Sequence, residues 1–111
     1  MQPVITKILA NKILTEEECL MAALMEDNEN EKDYRVFAWA INDKVLQFGY
    51  GTSGTHLNYK PAGYADNILK VHFPYTELTE KEAYILCRYE MTKFKKFNHE
   101  TLSAIGVNNE A

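Results

Sequence analysis

The residues best suited to hold an anion stand together in Gly49-Tyr50-Gly51-Thr52-Ser53-Gly54, followed by Thr55 and His56. Glycines at this spacing can bring backbone N–H groups onto a phosphate, and the hydroxyls of Thr52, Ser53 and Thr55 add further donors. A dinucleotide site needs the third glycine to open a helix whose N-terminus meets the pyrophosphate. Here Thr55-His56-Leu57-Asn58-Tyr59 reads as extended, so that reading fails on its context. What remains is a turn in the 49–56 loop able to contact a small, nucleotide-like anion. The same glycines and hydroxyls are also what a tight turn requires with no ligand at all.

A second group of residues suits recognition. Tyr50, Tyr59, Tyr64 and Tyr75 are interleaved with Gly, Ser, Asn and Thr. Tyrosine offers a large apolar ring with a polar tip at low entropic cost, and the small polar residues around it adapt their hydrogen bonds. This makes 51–67 a candidate binding loop; the alternative is that the rings cover a thin sheet with their hydroxyls in water.

A third group is electrostatic. Residues 15–33 carry eight acids (Glu16, Glu17, Glu18, Glu26, Asp27, Glu29, Glu31 and Asp33) against one base, Lys32. This segment holds −7 in a chain whose total is −4, leaving +3 for the remainder. Such polarity steers association with a basic partner, although a solvated helix face and loop would look the same. Net negative charge opposes the phosphate backbone, so no nucleic-acid partner is expected.

Nothing comparable points to catalysis. His56, His72 and His99 fall in separate elements with no ligand-spaced partner, so no metal site is expected. Cys19 and Cys87 sit in apolar helical patterns and read as free, buried thiols. Paired-carboxylate and His-x-x-x-His strings are absent from the sequence. The expectation is therefore a protein that is not an enzyme and carries no cofactor.

The elements that must position these residues follow from periodicity. With 111 residues, 46% of them hydrophobic, the chain suits a single domain spanning 1–111. Residues 3–14 fit a strand or a short helix opened by Pro3, with helix the better fit. Thr15 with Glu18, and Thr79 with Glu82, are capping boxes; Leu14 and Leu78 take the staple positions opposite Cys19 and Ala83. They predict helices over 16–26 and 80–97, the first burying Leu20, Ala23 and Leu24 on one face with Cys19. Asp27 to Asp33 is an exposed linker. Tyr34 to Ile41 and Val45 to Tyr50 form a hairpin around Asn42-Asp43-Lys44, with Phe37, Trp39 and Ile41 on one face and Val36, Ala38 and Ala40 on the other. A short third strand is expected at 56–59 and another at 68–73, ended by Pro74. Residues 98–105 read as a terminal turn capped at Gly106, and 107–111 as a frayed end.

The fold expected is α+β, an antiparallel meander of three to four strands over 34–73 packed against the two helices. No run of apolar residues is long enough to span a bilayer and no membrane partner is expected, which together with the free thiols suggests a reducing cytoplasm. The function expected is inhibition of another protein, of the bacterial immunity or phage anti-defence kind. The contact would run through Glu26, Glu29 and Glu31 or through the loop bearing Tyr50, Thr52, Ser53, His56, Tyr59 and Tyr64. The alternative is sequestration of a small anionic ligand by the 49–56 loop, and either reading allows a homo-oligomer.

Overall fold

Pro3 opens a helix because its fixed φ suits the first helical position and its missing N–H would have had no partner there. In the computed structural model, which describes residues 3–97 and 100–106, residues Pro3–Ala10 form α1, burying Ile5 and Ile8. Thr15 then caps α2 (Glu16–Ala23): the Glu18 N–H donates to Thr15 Oγ1 at 3.1 Å and the Thr15 N–H donates to Glu18 Oε1 at 2.9 Å. The same reciprocal pair starts α3 (Glu80–Phe97), between Thr79 and Glu82, at 3.2 and 2.9 Å. Both staple leucines, Leu14 and Leu78, are buried in the main core.

α2 stops at Ala23, short of the expected residue 26. The backbone of Glu26 is engaged elsewhere. Its N–H donates to Glu80 Oε1 at 3.1 Å and its carbonyl accepts from the Lys81 N–H at 2.9 Å, so the start of α3 takes the groups that another turn of α2 would need.

Strands β1 (Tyr34–Ile41), β2 (Lys44–Gly51), β3 (Leu69–Leu78) and β4 (Glu100–Thr101) form an antiparallel sheet in the order β3-β1-β2-β4. The α+β class, the hairpin and the flanking helices are as the sequence predicts. β1 is central, and its two faces divide the core. Val36 and Ala38 pack with α1 and α3, their small size letting the helices approach, while Phe37 and Trp39 form a second cluster with Leu69 on the opposite face.

That order determines the path of 52–68. β2 and β3 flank β1 and both oppose it, so the chain between them must cross one face of the sheet. It crosses the face bearing Phe37 and Trp39. Here the expected strand at 56–59 is replaced by a 3-10 helix, Thr55–Tyr59, preceded by Gly54 at φ +88°. A segment lying across a sheet face meets side chains rather than a strand edge, so it has no ladder to join. It is held instead by the Trp39 Nε1–H donating to the His56 carbonyl at 3.0 Å.

Pro74 does not end β3, which continues to Leu78. β3 is an edge strand, where a missing N–H costs no ladder bond, and its pairing with β1 shifts register twice between Tyr34 and Ala38. Glu77, at φ +55°, lies in the first of these irregular stretches. At the far end, β4 pairs with Lys44 and Val45, a 3-10 turn follows at Leu102–Ala104, and Gly106 has φ +121°. His99, part of the expected terminal turn and the expected frayed 107–111 lie outside the described residues. Among the described residues, no helix is long and apolar enough to cross a membrane.

Candidate functional site

The fold divides the sequence-predicted residues into three places. The first is the face of the sheet crossed by 52–68. The His56 ring packs edge-on against Phe73 (5.2 Å between centroids), 6.0 Å from Trp39 and 6.2 Å from Phe37. Its Nδ1 is buried without a hydrogen-bond partner among the described residues. Tyr59 is exposed, its ring 5.9 Å from Phe37. The guanidinium of Arg35 lies 4.1 Å from the Phe73 ring centre and the Lys60 ammonium 5.9 Å from that of Trp39, so the molecule's own cations already occupy these aromatic faces.

The glycines there serve packing. A Cβ on Gly49 would come within 2.3 Å of the Phe37 ring, and one on Gly51 within 2.4 Å of the Thr55 side chain. Each glycine is a seat for a neighbouring side chain. Thr52 is half-buried and Ser53 exposed between them and Gly54.

The second place is the outer edge of β2. Tyr50 lies on the helix side, its ring edge-on to Tyr84 at 5.8 Å, and burial raises its phenol above the ordinary tyrosine range. Between this edge and α3 lies a cavity of about 240 Å³ walled by Phe48, Tyr50, Tyr84 and Met91, with Tyr59 and Arg88 at its margin. Arg88 pairs with Glu18 of α2 at 3.4 Å. A second cavity of about 220 Å³ lies beside it, walled by Leu46, Phe48, Met91 and Phe94 with Lys95. Cys87 lines the first cavity, where burial pushes its thiol up to about 12 and so favours the neutral form. Tyr64, also exposed, lines a separate recess at the hairpin end with Ile41, Lys44 and Thr101.

The third place is the α2–β1 connection. Glu26 is pinned through its backbone to α3, as above, and Asp27 Oδ1 accepts from the Thr79 hydroxyl at 2.9 Å. Glu29 pairs with Lys32 at 2.7 Å, which holds its carboxyl below the ordinary glutamate range. Glu26 and Glu31 are exposed and have no ion-pair partner among the described residues. The acidic segment is thus exposed, partly ordered by its own hydrogen bonds and anchored at its start.

Beside it the structure corrects the phase of α2. The inward line is Ala22, which is buried, with Cys19 and Met25 half-buried, so Cys19 is less covered than expected; the other residues expected inside are outside: Leu20 is 68% exposed, Leu24 is 84% exposed and Ala23 is exposed as well. The signal was in the sequence. Cys19-Leu20-Met21-Ala22-Ala23-Leu24-Met25 is an unbroken apolar run, and a two-turn helix resting on one neighbour cannot bury every side of itself. Leu20, Met21 and Leu24 therefore form an apolar patch that sequence reasoning missed, bordered by Glu16, Glu17 and the 26–33 acids.

The first two places meet at Tyr59, which lies near Phe37 and also lines the cavity walled by Tyr50. His56 and Tyr59 lie on the face opposite the helices, Tyr50 at the β2 edge, and Glu26, Glu29 and Glu31 at the N-terminal end of α3. Among the described residues no cluster of His, Cys, Asp and Glu could hold a metal ion. No family model matches the chain, and no curated protein or solved structure matches it either.

Proposed function

We propose that this protein is a binding protein that covers a basic, partly apolar surface on a protein target, and thereby inhibits whatever that surface does. The observation that carries the reading is the adjacency of exposed Leu20, Met21 and Leu24 to the anchored acidic segment. Protein interfaces place an apolar centre inside a polar rim, and contiguous exposed apolar groups bordered by polar residues are the surface feature that marks such sites. The rim is of one sign, which sets the sign of the partner and speeds encounter with it. The anchoring of Glu26 and Asp27 lowers the ordering cost of binding, since part of the loop is already fixed.

The test is a comparative capture. The intact protein, the triple variant Glu26→Lys, Glu29→Lys, Glu31→Lys, and Leu24→Asp are each used as bait at low and high salt, and retained proteins are quantified by mass spectrometry. A basic protein held by the intact chain and lost with both variants supports the reading. The same set of proteins retained by all three baits contradicts it. The ligand-sequestering alternative places its site in the 49–56 loop, where Gly49 and Gly51 are taken up by packing against Phe37 and Thr55.

A further inference from the structure

We propose that the open edge of β2 accepts an extended segment of a partner protein as an added strand, with two of its alternate side chains entering the cavities beside α3. This surface is distinct from the acidic segment. β4 covers β2 only at Lys44 and Val45, and beyond them β2 pairs with β1 alone among the described residues. One row of backbone N–H and C=O groups over 46–50 is therefore open to a new strand, ending at Gly51, which is buried against Thr55.

Exposed edges are ordinarily blunted by charge, proline or bulges. The other edge of this sheet follows that rule, with Pro74 and two register shifts in β3. The edge at 46–51, Leu46-Gln47-Phe48-Gly49-Tyr50-Gly51, has neither charge nor proline, and its one register shift against β1 falls at its start, at Leu46, leaving 47–51 in regular register.

The cavities match the repeat of a strand. The 220 Å³ and 240 Å³ cavities share Phe48 and Met91 as walls, so they are neighbours along the edge. Side chains at i and i+2 of a strand share a face and lie roughly 6.6 Å apart. A strand beside β2 would drop two such side chains between β2 and α3, one into each cavity. An apolar cavity of roughly 150 Å³ admits benzene, so each has room for one aliphatic or aromatic side chain and falls short of a drug-sized ligand.

Charge defines the segment further. Lys95, exposed and without an ion-pair partner among the described residues, borders the 220 Å³ cavity, and Arg88 borders the 240 Å³ one. The fitting partner is an apolar-x-apolar segment with an acidic residue beside it. A second copy of this chain is a poorer occupant. Its own β2 would present Phe48 and Tyr50, which are already packed on Phe94 and Tyr84 at 6.2 and 5.8 Å, and Lys95 and Arg88 would face their like.

The experiment selects a displayed random peptide library against the full chain and then follows amide hydrogen exchange with the best synthetic peptide bound. The expected peptides share the apolar-x-apolar pattern with a flanking acid. They slow exchange of the outward amides in 46–50 by about tenfold or more while leaving α2 unchanged. Lys95→Glu, at an exposed position, weakens them by about threefold to tenfold. Met91→Trp, which pushes a bulkier ring into the wall the two cavities share, weakens or removes binding, with helical circular dichroism as its folding control. Binding also survives Glu26→Lys, Glu29→Lys, Glu31→Lys, which separates this result from the acidic-segment reading. No enriched peptide, peptides that protect only α2 and 26–33, or a homodimer protecting 46–50 in the absence of peptide would each overturn the proposal.

Discussion

The Tyr75 hydroxyl donates to Glu90 Oε2 at 2.7 Å, joining β3 to α3 at a carboxylate with 0% exposure. The same oxygen accepts from the Gly106 N–H at 2.8 Å, and Oε1 lies 3.1 Å from Lys93 Nζ. Lys93 in turn donates to the Ala104 carbonyl at 2.8 Å. The end of the described chain is thus tied down by a buried ion pair.

Removing one member of this pair leaves the other buried and uncompensated. Glu90→Leu should cost about 3–5 kcal/mol in urea unfolding, and Tyr75→Phe, which leaves the charges paired, about 1 kcal/mol. Replacing both charges, Glu90→Leu with Lys93→Met, should recover most of the loss. A double variant as unstable as Glu90→Leu alone would show that the pair is not what holds the segment.

Gly49 is where the ring of Phe37 needs room. Gly49→Ala places a Cβ 2.3 Å from the ring and should destabilise by about 1–3 kcal/mol, with partial recovery when Phe37→Leu is added. The check is a double-mutant cycle by chemical denaturation. Additive effects would mean the two positions do not share that space.

Alkaline pH should unfold the protein through its buried acids. Cys87, pushed from 9.0 to about 12 by burial, and Tyr34 and Tyr50, both raised chiefly by burial, are harder to ionise folded than unfolded. Their contribution is fully present below pH 9 and is lost as pH climbs towards 12. Tm should hold level from pH 7 to about 9 and fall beyond it. At pH 8 alkylation should mark Cys19 well before Cys87, because about one thiol in ten thousand at Cys87 is ionised there. Equal labelling of the two, read by mass spectrometry, would contradict this assignment.

What could be read from the sequence was local. The Thr15–Glu18 and Thr79–Glu82 boxes and the period-two hairpin each depend on residues close in the chain, and each appears with the expected partners. What could not be read depended on distant partners. Pro74 looks like a stop until β3 is known to be an edge, and 55–59 looks extended until Trp39 claims the His56 carbonyl. Leu20 and Leu24 look buried until α2 is seen to rest on α3 along Cys19, Ala22 and Met25. For the candidate sites, charge was legible because it is a sum over residues. The cavities beside β2 were not, since Phe48 and Met91 are far apart in the chain.

Steering of a basic target by the acidic segment is read from the association rate of the captured target as ionic strength is raised. For the intact protein the rate should fall steeply with salt. Glu26→Lys, Glu29→Lys, Glu31→Lys should lower it about tenfold or more at low salt and flatten the dependence, while dissociation changes less. Leu24→Asp, at a residue 84% exposed, should leave folding stability within about 0.5 kcal/mol and act mainly on dissociation. An association rate that the triple variant leaves unchanged at every salt concentration would contradict such steering.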